Sequence, residues 1–112
     1  MPDALTSRSC APCNRSTPKL TPDQITDLLP QLDGWTVDDG RKLVKTYRFK
    51  DFASGLAFVN RAGAVAEAEA HHPDLHLAWG RVDVECFTHA IGGLSENDFI
   101  LAAKLDQALS SS

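Results

Sequence analysis

The chain has 112 residues, a formal net charge of −4 and 43% apolar residues. This size and composition predict one globular domain. The negative charge argues against a basic face that binds nucleic-acid phosphates, and no apolar run reaches the length of a membrane span. Because the N-terminus lacks the basic start and apolar centre of a secretory signal, we expect a cytoplasmic protein.

The first 19 residues are polar, proline-bearing and aperiodic. They predict a mobile N-terminal tail, followed by one domain over residues 20–110. The tail contains the sequence CAPC, formed by Cys10 and Cys13. A zinc site needs a second close pair of ligands, and a redox motif of this kind begins a helix. Neither context is visible, so a mobile segment without a site is the simpler interpretation, with metal or redox use as the alternatives.

Helix and strand patterns follow the tail. The first helix begins at Thr21, with Pro22 at the first helical position and Gln24 where a capping box requires it. Two strands are predicted over residues 35–37 and 43–49, separated by a turn signal at DDGR.

A long helix is predicted over residues 52–70, and Pro73 indicates that it ends near the adjacent pair His71-His72. Its buried stripe is predicted to consist of Phe52, Leu56, Val59, Gly63, Ala66 and Ala70. We expect close packing against another backbone to explain the glycine in this stripe.

A hairpin and a last helix complete the pattern. The hairpin consists of alternating strands around Gly80-Arg81, and the helix begins at Ser95 with Asp98 at the capping-box position. The order α-β-β-α-β-β-α predicts an α+β fold, in which a four-stranded antiparallel sheet carries helices packed on one face.

All four histidines lie between residues 71 and 89. If Gly80 and Arg81 form a two-residue turn, Trp79 lies on the apolar face of the hairpin as a core residue. The same register, continued to the open end of the hairpin, places His72 opposite His89. Directly opposed Cβ atoms lie roughly 4.5–5.5 Å apart, so we expect these two imidazoles to be neighbours.

His71 has a further predicted neighbour, because Glu67 lies four residues earlier on the same helical face. Together His71, His72 and His89 would form a group that exchanges protons with a small ligand near neutral pH. Two alternatives stay open at this point. The three residues could be surface histidines beside a loop, or they could supply three nitrogens to a zinc ion.

The spacing of residues from 67 to 98 resembles the signature of the pterin-4a-carbinolamine dehydratases. The positions that carry this resemblance are Glu67, His71, His72, Pro73, Trp79, His89 and Asp98. The stretches KDF at 50–52 and GLSENDF at 93–99 also resemble family sequence, as does the order of the elements.

The resemblance implies a hydro-lyase that removes water from 4a-hydroxytetrahydropterin to give quinonoid dihydropterin, in tetrahydropterin recycling after aromatic amino-acid hydroxylation. It implies no metal and no organic cofactor. His71 or His72 would act as the acid, and His89 as the counterpart base or orienting group. The implied substrate-contacting residues are Glu67, Pro73, Trp79, Thr88, Ala90, Ile91 and Asp98. Family members form dimers by sheet extension and tetramers through helices, so a homodimer or homotetramer is expected.

The alternative is a non-catalytic protein-binding module on the same fold. Some members of the family act as dimerisation partners of a transcription factor, and distant relatives act as assembly factors, so a protein client is possible on this interpretation. The intact histidines favour catalysis, since a scaffold has no evident need for them. At Asp98, helix capping competes with a role in the site.

Overall fold

The computed structural model describes residues 5–11 and 17–110, except for the side chain of the last of these. Cys13 of the CAPC motif lies outside the described residues. In chain order the main elements are α1 (Pro22–Leu28), β1 (Thr36–Asp38), β2 (Lys42–Arg48), α2 (Phe52–Glu69), β3 (Asp74–Ala78), β4 (Arg81–Cys86) and α3 (Glu96–Ser110). Short 3-10 turns occur at Leu5–Ser7, Leu29–Gln31 and His89–Ile91.

The four strands form one antiparallel sheet in the order β1-β2-β4-β3. One face of the sheet carries the core, because fully buried Leu43, Val82 and Val84 pack with Phe58 of α2 and Phe99 of α3. The predicted α+β class and element order are confirmed.

Local capping interactions set where the helices begin. The Thr21 hydroxyl accepts from the Gln24 N–H at 3.2 Å, and the Gln24 side chain accepts from the Thr21 N–H at 2.9 Å. This confirms the predicted capping box. The Asp51 side chain caps α2 by accepting from the Ser54 N–H at 2.8 Å.

The buried stripe of α2 differs from the prediction. Gly55, Phe58, Ala62 and Ala66 are its buried residues, whereas Phe52 and Leu56 are 40% and 45% exposed. The predicted stripe was therefore wrong at Phe52, Leu56 and Ala70, all of which are exposed, although Ala66 belongs to both. The sheet contacts the face that carries the aromatic ring of residue 58, a choice that apolar spacing alone does not decide.

The glycine that allows close packing is Gly55, not Gly63. A Cβ atom at Gly55 would lie 3.1 Å from Leu77 Cδ1, whereas a Cβ at Gly63 would have nothing within 4 Å. The helix therefore approaches the hairpin closely near its beginning, and Gly63 occupies open space.

The hairpin register also differs from the prediction. Ala78 pairs with Arg81, so Trp79 and Gly80 form the turn, and Trp79 is 75% exposed instead of buried. Gly80 has a φ of +74° and accepts at its carbonyl from the Phe49 N–H at 3.0 Å. Because the shift is two residues, it leaves each side chain on its predicted face of the sheet.

The segment before α1 contacts the helical layer. Leu5 is 4% exposed within the core, and the 3-10 turn that contains it packs against α3. Part of the predicted tail therefore has a defined place on the fold.

Candidate active site

The end of α2 directs His71 into the protein. Ala70 adopts the left-handed conformation at a φ of 53°, and the His71 N–H returns to the Ala66 carbonyl at 3.2 Å. Such a residue ends a helix and turns the following chain away from the helical face. His71 is consequently only 7% exposed.

A buried carboxylate receives His71. His71 Nε2 lies 2.6 Å from Asp98 Oδ1, and the Asp98 side chain is fully buried. The other oxygen, Oδ2, accepts from the Thr88 hydroxyl at 2.8 Å and from the Ser95 N–H at 2.9 Å. Asp98 therefore acts as the α3 cap and as the histidine partner at once, one oxygen for each.

These contacts assign the protons of the network. A carboxylate only accepts, so His71 donates from Nε2 and the Thr88 hydroxyl donates to Asp98. The Ser95 hydroxyl, 2.7 Å from Thr88 Oγ1, then donates to it. Each of these donors has a defined acceptor, which fixes the orientation and tautomer of the buried imidazole.

His72 has a different partner and a different environment. Its Nε2 lies 2.6 Å from Glu67 Oε1, and the two side chains are 59% and 79% exposed. The prediction that Glu67 would face His71 was wrong, because the left-handed residue at position 70 removes His71 from the helical face. Glu67 instead orients the exposed imidazole of His72.

His89 begins the 3-10 turn His89–Ile91 and is exposed. Its ring packs against Phe87, with the two ring planes inclined by 45° and the centroids 4.1 Å apart. The predicted pairing with His72 across the hairpin was wrong, because the strand ladder stops at Asp74 and Glu85.

A different connection links the two histidine-bearing segments. Antiparallel pairing places the start of β3 and the end of β4 at the same end of the sheet. His71 precedes β3, and Thr88 follows β4 and shares the Asp98 carboxylate with it. The segment that carries His89 is thus tied to the histidine pair through Asp98.

The remaining predicted site residues separate into two groups. Pro73 and the turn residues Ala90 and Ile91 lie in the same two segments as the histidines, with Ala90 exposed. Thr88 is also there, but it is 1% exposed and its hydroxyl is engaged by Asp98. Trp79 lies at the far end of β3, a five-residue strand that spans roughly 17 Å, and is not brought to the histidines of its own chain.

From the sequence, Ser95 was predicted only as a helix cap. The structure places it inside the network, 3% exposed, with its N–H and its hydroxyl both directed at the Asp98–Thr88 pair. The capping-box spacing was the signal that could have shown this, since it fixes Ser95 against Asp98.

The thiol closest in sequence to this network takes no part in it. Cys86 is fully buried at the end of β4. Burial, and next the Asp98 carboxylate, raise the pKa of Cys86 well above its usual value. The residue therefore stays a neutral, apolar core thiol.

Within residues 5–11 and 17–110, no three side chains of the His, Cys, Asp and Glu types are placed to share a metal ion. His71 and His72 each direct Nε2 at a different carboxylate. Over the same residues, no helix combines the length and the apolar character that crossing a membrane would require.

A buried, oriented imidazole and two exposed histidines at one end of the sheet are groups that can donate and accept protons on a small ligand. Residues 18–108 match the family model described as "Pterin 4 alpha carbinolamine dehydratase". The chain therefore belongs to the pterin-4a-carbinolamine dehydratase family, whose defining activity is that of a hydro-lyase.

Individual relatives are similar over most of the chain. A protein of Rubrobacter xylanophilus is 44% identical over 103 residues, which cover 92% of this chain and 96% of the relative. The mitochondrial pterin-4-alpha-carbinolamine dehydratase 2 of Arabidopsis thaliana is 46% identical over 108 residues, covering 92% of this chain and 58% of that longer protein.

A solved structure agrees with this assignment, and a second one shares the fold. A transcriptional coactivator/pterin dehydratase from Brucella melitensis superposes with a TM-score of 0.77 at 35% identity, over 82% of this chain and 99% of that one. A pterin dehydratase-like RuBisCO assembly factor of the alpha-carboxysome superposes with a TM-score of 0.60 at 23% identity, over 71% of this chain and 94% of that one. The second likeness shows the shared fold alone.

Proposed function

We propose that the protein dehydrates 4a-hydroxytetrahydropterin to quinonoid dihydropterin by histidine acid–base catalysis, in tetrahydropterin recycling after aromatic amino-acid hydroxylation. Membership of the dehydratase family supports the reaction. The observation that carries the histidine mechanism is the buried His71–Asp98 pair, at the end of the sheet where the exposed His72 and His89 also lie.

The reaction needs two proton transfers and no electron acceptor. The bond from C4a to the hydroxyl oxygen breaks, and that oxygen receives a proton and leaves as water. A ring nitrogen loses its proton, and its electron pair forms the new double bond to C4a. One acid and one base of near-neutral character are therefore sufficient, and imidazoles meet this requirement.

Exposure divides the roles among the three histidines. His72 and His89 are exposed, so we assign the proton transfers to them. His72 donates the proton to the leaving oxygen, and His89 accepts the proton from the ring nitrogen. Glu67 holds His72 by its Nε2 atom, which leaves Nδ1 to face the ligand. His71, locked by Asp98, presents a fixed edge against which the flat pterin is oriented.

Replacing His72 by Ala tests this proposal, with His76→Ala as the matched control. His76 lies only four residues further along the chain and is also exposed. It pairs with Asp83 in the middle of β3, away from the network. Positioned acids contribute roughly 10²- to 10⁴-fold, so kcat for 4a-hydroxypterin dehydration should fall by that factor in the first variant only. Equal rates in both variants and the wild type would remove the enzymatic proposal.

We also propose that the protein works as a homo-oligomer. β3 is an edge strand of the sheet, with unpaired backbone groups along one side, and a second copy could extend the sheet there. Light scattering after size exclusion measures the mass directly. A mass of a single 12.2 kDa chain at micromolar concentration would contradict this part of the proposal.

A protein-binding role is the competing proposal, and its main support is the similarity to the Brucella melitensis protein, which is described as a transcriptional coactivator as well as a pterin dehydratase. The two are separated by turnover. A wild-type protein that binds a client and does not accelerate dehydration supports the binding role, whereas loss of turnover in the His72 variant supports catalysis.

A further inference from the structure

Residues 5–11, here termed the N-terminal strap, contact both helices that carry the acid–base network. Leu5 anchors the strap in the core at 4% exposure. The Cys10 N–H donates to Glu69 Oε1 at 2.8 Å. The Ala11 N–H donates to Asn97 Oδ1 at 2.9 Å, and Asn97 Nδ2 donates back to the Ala11 carbonyl at 2.6 Å. The strap is thus hydrogen-bonded to Glu69 of α2 and to Asn97 of α3, and Arg8 of the strap adds an ion pair with Glu96 at the start of α3.

These two contacts lie at the helix ends that form the network. Glu69 is the last residue of α2 and stands two positions before His71. Asn97 lies in the first turn of α3 and immediately precedes Asp98. Glu69 also binds Lys104 of α3 through its second oxygen, at 2.8 Å. The strap therefore joins the end of α2 to the start of α3, and the relative position of these two helix ends sets the His71–Asp98 distance.

Helix ends are the least stable parts of a helix, because they lack part of the hydrogen-bond ladder. After Glu69 the chain leaves α2 through the left-handed Ala70, so few backbone bonds hold His71. A hydrogen bond of 2.6 Å between groups on two separate elements requires that both elements be fixed. The strap supplies this restraint from outside the network.

We propose that the N-terminal strap is a positioning element for the His71–Asp98 pair, with Asn97 and Glu69 as the attachment residues nearest to that pair. Its consequence for catalysis rests on the proposed function, whereas its effect on the pair does not. The strap touches neither the histidine nor the aspartate side chain in the contacts above, so it acts through the helix ends.

Asn97→Ala removes both bonds to Ala11 and tests the first attachment. Arg61→Ala is the matched control, because Arg61 Nε donates to the Ala108 carbonyl at 3.0 Å and so joins the same two helices. That contact lies more than two turns before the end of α2, away from the network. Both variants should lower Tm, because each removes a contact between packed elements. A positioning role of the strap predicts a further effect on His71 in the Asn97 variant alone.

The separating readout is the Nε2–H resonance of His71 in proton–nitrogen NMR, recorded without substrate. Asn97→Ala should broaden this resonance or move it upfield, and should lower kcat about three- to tenfold with KM unchanged, less than the roughly 10²-fold of a 1 Å misplacement. Arg61→Ala should leave both at the wild-type value. An unchanged resonance and kcat in Asn97→Ala, with a Tm loss equal to that of the control, would overturn the proposal.

The second attachment gives an independent test that does not depend on one variant folding. Glu69→Gln keeps an acceptor oxygen for the Cys10 N–H, whereas Glu69→Ala removes it. The proposal expects the His71 resonance and kcat to be nearly retained in the first and changed in the second. Equal effects of the two variants on the resonance would overturn it. Absence of dehydratase activity in the wild type would refute the proposed function alone, because the resonance still reports on the strap.

Discussion

Replacing Asp98 by Asn is the most informative perturbation of the network, because it turns one hydrogen-bond acceptor into a donor and leaves the size and shape of the side chain nearly unchanged. The amide oxygen can still accept from the Thr88 hydroxyl and the Ser95 N–H, which both address Oδ2. The amide nitrogen then faces His71 Nε2, and it can only donate. His71 must therefore give up the Nε2 proton and carry it on Nδ1, the opposite tautomer.

The cost in stability follows from the three hydrogen bonds that the buried carboxylate accepts. Hydrogen bonds to a charged group contribute about 1.5–3 kcal/mol and neutral ones about 1 kcal/mol. If each of the three bonds loses the smaller difference, about 0.5 kcal/mol, the free energy of unfolding falls by roughly 1.5 kcal/mol. The protein should stay folded, while the wrong tautomer should lower kcat roughly 10²-fold, because it changes the edge that His71 presents to the pterin.

Urea denaturation measures the free energy of unfolding, and dehydration kinetics measure kcat. Imidazole NMR reports the tautomer of His71 directly. Persistence of the proton on Nε2 in the Asn variant would refute the assignment of donors and acceptors. A kcat within twofold of the wild type, with the tautomer switched as expected, would show that the orientation of His71 does not matter for the chemistry.

Three further predictions test the surroundings of this network. Thr88→Val should lower the free energy of unfolding by about 2 kcal/mol, because it removes a hydroxyl with two buried partners, and Thr88→Ser, which keeps it, by only about 1 kcal/mol in the same urea assay. The pKa of Glu69 is lowered from 4.5, first by its lysine partner on α3 and then by the strap N–H. Its stabilisation is therefore complete above that pH and lost as the pH falls through the folded-state pKa, so Glu69→Gln should unfold at lower urea at pH 7 and lose less stability on acidification. Gly63→Ala should raise Tm through a gain of up to about 1 kcal/mol in helix propensity, whereas Gly55→Ala should not, because its Cβ would meet a β3 leucine at 3.1 Å.

The features that the sequence predicts correctly are those decided by neighbouring residues. The capping box at Thr21 and Gln24 needs only a spacing of three, and so does the contact between Ser95 and Asp98. The alternation of the strands likewise fixes which side chains face the core. Both partners of such an interaction lie within one helical turn or one strand, so the local sequence is sufficient to predict it.

The hairpin turn shows where local information is insufficient. Placing the turn at Gly80-Arg81 or at Trp79-Gly80 leaves every side chain on the same face, since the two registers differ by two residues. The Phe49 N–H, which directly follows β2 and lies more than thirty residues earlier in the chain, donates to the Gly80 carbonyl, and this contact is one of the interactions specific to the observed turn. An exposed tryptophan at the tip was therefore predicted as core, because apolar character argued for burial and nothing local opposed it.

At Asp98 the sequence posed two roles as competitors, and the structure shows why both are compatible. A carboxylate has two oxygens that point apart, so Oδ2 can cap α3 while Oδ1 receives His71 from another element. Only the capping half is readable from spacing, because its donor lies three residues away. The other half depends on the left-handed residue at position 70, which turns the chain after α2 toward the start of α3. Under the proposed function, capping has a catalytic consequence, because any change that loosens the first turn of α3 also moves the acceptor of the buried histidine.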